Sequence, residues 1–266
     1  MSFHRLCIFA EICVLIVSLL VCVSPASAGA TSFASNASRD VPVLLYHHIE
    51  PIQSSFNAQR RRWTMTPEKF ESQIQWLINQ GFTVVTLKEY FAIKKKSGFI
   101  NERTIVLTFD DGWKDHYSTV FPLLKKYGLK ATFFIVAGSV GSSSYMDWPQ
   151  ILEMQAAGMD MESHSLTHPK LTTIDRKQSL KEIKESKQVL EDHLKGPVSI
   201  FAYPFGYYDQ QIIQMVKDAG YDAAVTVSGM NAGYLMRKDK AFTCIRYALE
   251  GREDLETVAR LKRFYP

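Results

Sequence analysis

The sequence predicts an α/β fold in which βα units repeat along the chain and close as a barrel. Three observations carry this. From residue 41 onward, short β-branched or apolar runs alternate with longer amphipathic ones, the pattern of strands joined by helices. The strand-like runs are apolar throughout, as strands covered on both faces are. Glycine closes helix after helix, at Gly81, Gly128, Gly158 and Gly220, just ahead of the next strand. Repeated units of this kind close most easily as a barrel, with the C-terminal ends of all strands at one mouth.

The first predicted strand is Val41-Pro42-Val43-Leu44-Leu45-Tyr46-His47-His48. Residues 50–63 follow as the longest irregular stretch; placed directly after His47, they are expected to form one wall of a cleft. Thr66-Pro67-Glu68 opens a helix with an N-cap and a proline at the first position, and Phe70, Ile74, Leu77 and Ile78 form its apolar stripe. A short strand at 83–85 and a helix from about Leu87 lead to the strand at 104–109. Then come a helix over 117–127, a strand over 131–136, a helix over 148–157 and a strand over 158–161. A long polar-faced helix spans 175–194. Strands at 199–203, 222–227 and 241–245, a helix at 209–219 and a last helix from Asp254 complete the series.

Leu107-Thr108-Phe109-Asp110-Asp111-Gly112 sets two adjacent carboxylates at the end of an apolar strand. Neighbours on a strand face opposite ways, so two aspartates share a pocket only where the strand is ending and Gly112 lets the chain turn. Strand ends of this sense are where α/β folds bind ligands. The alternative is that both aspartates merely cap the helix that follows.

Further on, Glu162-Ser163-His164-Ser165-Leu166-Thr167-His168-Pro169 holds two imidazoles four residues apart. On one helical turn that spacing shares a face, and two histidines with one carboxylate make the three-ligand set of a catalytic zinc site, leaving a position for water. Surface histidines are the competing explanation.

T-F-D-D-G followed about 50 residues later by S-H-x-x-T-H-P resembles the polysaccharide deacetylase family, the NodB-homology carbohydrate esterases, over residues 41–264. A third motif of many members, R-x-P-[YF]-G, here reads Ala202-Tyr203-Pro204-Phe205-Gly206, so Ala202 replaces the arginine that orients the catalytic aspartate. A fifth, L-x-H near the C-terminus, is missing, since no histidine follows His193; Leu45-Tyr46-His47 has its spacing at the other end. Both departures resemble the circularly rearranged branch that contains poly-N-acetylglucosamine deacetylases of biofilm matrices. Strand alternation separates His47 from His48, and the L-x-H match selects His47.

The resemblance implies a distorted, incomplete (β/α) barrel of about seven strands in a single domain. It implies that Asp111, His164 and His168 hold a divalent metal, most simply zinc, with nickel and cobalt as other choices. Asp110 is then the general base, protonated His47 the general acid, and a backbone N–H near Phe205 the oxyanion contact. Two cations are candidates for the missing arginine, Lys130 and Arg246, each also explicable as a solvated or structural charge. Trp113, Tyr203 and Tyr207 lie beside motif residues and are candidate sugar-stacking side chains, with core or loop packing as the alternative.

With 46% hydrophobic and 22% charged residues and a net charge of +4, the composition is that of a globular chain and leaves the substrate undecided. Lys94-Lys95-Lys96 and Arg60-Arg61-Arg62 lack interleaved aromatics and read as solvated faces, so no nucleic-acid partner is expected. Residues 1–28 read as a secretory signal, with His4 and Arg5, an apolar stretch at 12–23, and Ala26-Ser27-Ala28 before Gly29. A membrane anchor is the competing reading, opposed by Glu11 and Pro25. Residues 29–40 are expected to be a flexible tether and 41–266 the deacetylase-like domain, a monomer that is secreted, periplasmic or held at the cell surface. Cys7, Cys13 and Cys22 leave with the signal, so Cys244 remains as a lone thiol, expected to be buried in a strand.

The function these readings imply is metal-dependent removal of acetyl groups from N-acetylglucosamine units of an extracellular polysaccharide. A β-1,6-linked polymer is the first choice, chitin-like oligomers or peptidoglycan the second. A catalytically silent, polysaccharide-binding barrel is the alternative of another class.

Overall fold

Parallel pairing of short buried strands closes a ring. The computed structural model describes residues 41–96, 100–101, 103–227 and 241–249. Its strands are β1 (Val43–Tyr46), β2 (His48–Ile49), β3 (Thr64–Met65), β4 (Thr83–Val85), β5 (Thr104–Phe109), β6 (Thr132–Ile135), β7 (Asp160–Ser163), β8 (Ile200–Ala202), β9 (Ala223–Val227) and β10 (Cys244–Ala248). The α-helices are α1 (Ala58–Arg62), α2 (Pro67–Asn79), α3 (Leu87–Lys96), α4 (Phe121–Lys126), α5 (Trp148–Ala156), α6 (Arg176–His193) and α7 (Gln210–Asp218).

Hydrogen bonding runs from β1 through β5, β6, β7, β8, β9 and β10 and back to β1, with every pair parallel. Seven strands therefore form the barrel, as expected. β4 adds to the beginning of β5, with Thr83 opposite Thr104, on the edge whose far end, at Thr108 and Phe109, belongs to β6. A separate two-stranded pairing, β2 with β3, ties both ends of the 50–63 stretch beside the mouth.

Strand alternation sorts the apolar residues into two clusters. Ile105, Leu107 and Phe109 of β5 pack with Leu124, Ile151, Ile183 and Val216 of the helices. Val43, Val106, Phe134, Ala202 and Val225, from alternate positions of the strands, form a smaller cluster that fills the ring. The helices start where capping side chains allow: Thr66 accepts from the Lys69 N–H, Asp209 accepts from the Ile212 N–H, and Asp147 with Gln150 completes a capping box.

Three local expectations are corrected. The helix expected over 117–127 opens as a π-helical turn at His116–Val120 and continues as α4. The last strand lies at Cys244–Ala248, three residues beyond the start of the apolar run that suggested it, and Cys244, at its first position, is half-buried. The 164–168 stretch is not helical. The helix expected from Asp254, the signal at 1–28 and the tether at 29–40 lie outside the described residues. Among the described residues no helix is long and apolar enough to cross a membrane.

Glu162 of β7 is fully buried. Its Oε2 accepts from the N–H groups of Ser199 (2.9 Å) and Ile200 (2.7 Å), and the Lys88 ammonium lies 2.8 Å from Oε1. Burial nevertheless outweighs Lys88 and pushes the Glu162 pKa up from 4.5 to about 7. Between those values the folded chain holds a proton that the unfolded chain releases, so this group's contribution to stability falls as pH rises through the window. At about 1.4 kcal/mol per pH unit, the effect is about 3 kcal/mol. Glu162→Gln keeps an acceptor for both N–H groups, so its thermal midpoint is expected to fall less than the wild-type midpoint between pH 5 and 8. Parallel midpoint curves for the two proteins would contradict this.

Candidate metal centre and active site

The strand ends at one mouth deliver the functional side chains. β5 leads into Asp110 and Asp111, β7 into His164, β8 into Tyr203 to Gly206, and β1 into His47. Asp111, Ser165, His168 and Phe205 are the non-glycine residues of positive φ among those described, and all four belong to this mouth. Left-handed backbone costs a bulky residue such as Phe205 about 1–3 kcal/mol, strain that clusters at functional sites. Gly112 (φ 84°) completes the turn after Asp111; a Cβ there would stand 3.2 Å from the Ile135 Cδ1.

Asp111, His164 and His168 converge. Asp111 Oδ1 lies 3.6 Å from His164 Nε2 and 3.5 Å from His168 Nε2, and the two imidazole nitrogens are 3.2 Å apart. A tetrahedron with bonds of ~2.0–2.1 Å has edges of about 3.3 Å, so the three donors match one face of a zinc-sized coordination shell. The histidines reach this face from a strand end and a left-handed turn, not from a helical turn. Ser165 Oγ accepts from the His168 N–H (3.0 Å), while buried Glu182 of α6 accepts from the N–H groups of Leu166 and Thr167 and from the Thr167 hydroxyl. Glu182 therefore pins the ligand loop to the helix layer.

His164 Nδ1 sits 2.9 Å from the Ala202 carbonyl, which can only accept, so Nδ1 carries the proton and the Nε2 lone pair faces the cluster. Burial lowers its pKa to about 4, keeping the ring neutral and fit to ligate at neutral pH. Asp111 is anionic: burial opposes the charge, but His47, His164 and His168 outweigh it and lower the pKa. Trp113 Nε1 donates to Asp111 Oδ2 at 2.9 Å, orienting the carboxylate.

Asp110 belongs to a different partner. Arg246, fully buried inside the ring, meets it with a two-pronged contact, NH1 to Oδ1 at 2.5 Å and NH2 to Oδ2 at 2.7 Å. The guanidinium lies 5.0 Å from the Phe134 ring centre and also contacts Thr108 Oγ1 and the Thr226 carbonyl. Burial raises the Asp110 pKa, but the Arg246 guanidinium foremost outweighs it and holds the carboxyl well below its usual range. Of the two cations named from the sequence, Arg246 contacts Asp110. Lys130 is half-exposed and lies 3.4 Å from Glu89.

A cavity of about 330 Å³ opens over this cluster, walled by His47, Asp110, Asp111, Trp113, His164, His168, Tyr203 and Phe205. Asn57, Gln59, Arg60 and Trp63 close one side, so the 50–63 stretch does form a wall. His47 packs on Trp63, ring centres 4.5 Å apart, and its buried Nδ1 has no hydrogen-bond partner among the described residues. Burial lowers the His47 pKa against the pull of Asp111 and Asp110.

The three aromatic candidates separate. Trp113 stacks on Tyr145 (4.4 Å) at the rim. Tyr203 lines the cavity but is fully buried, and its hydroxyl donates to the Phe242 carbonyl. Tyr207 is not among the cavity walls; its ring carries the Lys170 ammonium 3.6 Å from its centre. The Phe205 ring is half-exposed and rests 4.6 Å from the His168 ring. Trp63, Arg60 and Glu182 escaped sequence reasoning. Only the position of 50–63 directly after His47 hinted at the first two, and nothing local marked Glu182.

A parallel barrel whose mouth gathers an Asp-His-His donor face, a separately held carboxylate and a further histidine defines a hydrolase-type site. Comparison with known proteins agrees. The family model described as polysaccharide deacetylase matches residues 99–224. A poly-β-1,6-N-acetyl-D-glucosamine N-deacetylase of Staphylococcus epidermidis is 32% identical over 208 residues, 69% of this chain and 71% of that protein. YxkH of Bacillus subtilis is 32% identical over 186 residues, 70% of this chain but 64% of its own length. Among solved structures, the Streptococcus pyogenes deacetylase PplD in complex with acetate superposes with a TM-score of 0.75 at 26% identity, covering 83% of this chain and 96% of that one. The chain belongs to the polysaccharide deacetylase family.

Proposed function

We propose that this protein removes N-acetyl groups from N-acetylglucosamine units of a polysaccharide outside the cell, with β-1,6-linked poly-N-acetylglucosamine as its substrate. The observation that carries the reading is the division of labour between neighbouring aspartates: Asp111 faces both histidines, while Asp110, 3.6 Å from His164, is held by both prongs of Arg246. The likeness to the S. epidermidis enzyme supports the linkage. Residues 1–28 as a secretory signal, 29–40 as a tether and the circularly rearranged branch of the family belong to the same reading.

Asp111, His164 and His168 would hold a divalent metal, with zinc preferred on donor type and edge length. When bound, such an ion acidifies water and polarises a carbonyl. Asp110, kept anionic by Arg246, accepts the proton of the attacking water. The left-handed turn at Phe205 offers a backbone N–H for the oxyanion, with Gly206 (φ 72°) free of the Cβ that would stand 3.1 Å from the Val227 nitrogen. His47 gives its proton to the departing glucosamine nitrogen; a pKa lowered by burial makes it the stronger acid. Trp113 and Trp63 flank the opening and offer flat faces to a sugar ring.

Acetate release from β-1,6 and β-1,4 N-acetylglucosamine oligomers, with chelator and with added zinc, nickel or cobalt, tests this. Release from the β-1,6 series, lost with chelator and restored by metal, is expected. Release from β-1,4 oligomers alone would refute the linkage, and no release from either series with any metal would refute the activity.

A further inference from the structure

We propose that Asp115 and His116 are positioning residues for His47, acting as a two-residue clamp on the chain where it leaves β1. The inference rests on the reading of His47 as the general acid.

Among the described residues the imidazole of His47 has no hydrogen-bond partner at Nδ1, so its place over the cluster is set by its backbone and by Trp63. That backbone is gripped from the segment that follows Asp110 and Asp111. His116 Nε2 donates to the His47 carbonyl at 2.6 Å, Asp115 Oδ2 accepts from the Ile49 N–H at 2.6 Å, and Asp115 Oδ1 lies 3.2 Å from His48 Nδ1. The three contacts bracket residues 47–49 and link them to the turn that follows Asp110 and Asp111. They arise where the chain adopts a π-helical turn at His116–Val120, a rare conformation that recurs at functional sites.

His116 is also an uneconomical choice for packing alone. It is fully buried, with its ring centre 5.5 Å from that of Phe109 and 5.6 Å from that of Phe133. A phenylalanine would satisfy such a box, whereas a buried imidazole has to be desolvated and, among the described residues, leaves its Nδ1 without a partner. What the histidine adds is one N–H aimed at one carbonyl. Misplacement of a reacting group by ~1 Å costs on the order of 10²-fold in rate, so a clamp on the acid's backbone has a kinetic consequence.

The test compares two substrates that differ in their need for an acid. An N-acetylglucosamine oligomer expels an amine and requires a proton; 4-nitrophenyl acetate expels a stable anion and does not. His47→Ala comes first, and its ratio of amide to ester rates is expected to fall by roughly 10²-fold or more. His116→Phe, in the full chain, is expected to lower the same ratio at least tenfold, and His116→Gln, which keeps an N–H donor, to recover part of it. Asp115→Ala carries the same expectation independently should His116→Phe not fold. Equal losses on both substrates in the clamp variants would make Asp115 and His116 merely structural and overturn the inference. An unchanged ratio in His47→Ala would overturn the acid assignment itself.

Discussion

Replacement of Asp111 by alanine is expected to abolish bound metal and acetate release together. The donor face has two imidazoles, one of them fixed by the Ala202 carbonyl, and a single carboxylate; removing that carboxylate removes the charge that would balance a bound cation. It also strips the Trp113 indole of its acceptor at the rim. Metal per chain after dialysis, measured by elemental analysis beside acetate release, checks both losses, and an unshifted thermal midpoint shows that the barrel persists. A variant that still holds one metal per chain would remove Asp111 from the ligand set, and with it the separate role of Asp110.

Arg246→Met is expected to strike stability and chemistry at once. Asp110 is almost wholly buried, and its carboxylate would lose both prongs of the guanidinium. Removing one partner of a buried ion pair costs about 3–5 kcal/mol, because the other charge stays behind unpaired. The Asp110 pKa would rise, since the desolvation that Arg246 now outweighs would become the stronger influence. The base is then protonated over more of the working range, and its contribution to kcat/KM returns only as pH climbs. Denaturant melts and a pH profile read the two effects. Undiminished stability with an unaltered profile would show that Asp110 needs no counterion.

The barrel was legible because its strands are buried on both faces and its helices are closed by glycine. Strand β10 was misplaced by three residues since its alternating exposure spreads the apolar signal over neighbours such as Phe242. Spacing located His164 and His168 but not their backbone, because a four-residue interval serves a helical turn and a left-handed strand exit equally well. Arg246 stands 136 residues from Asp110, and no local pattern records a contact of that range. Tyr207 adjoins the third motif in sequence yet lies outside the cavity walls: the positive φ at Phe205 redirects the chain, so nearness in sequence does not fix the side reached.

The ring joins β1 to both β5 and β10, the earliest described strand to the last. A chain emerging from the ribosome already carries Asp110, Asp111, His164 and His168 while the strand bearing Arg246 is still untranslated. Until that strand arrives Asp110 lacks its guanidinium partner and the cylinder has an open seam.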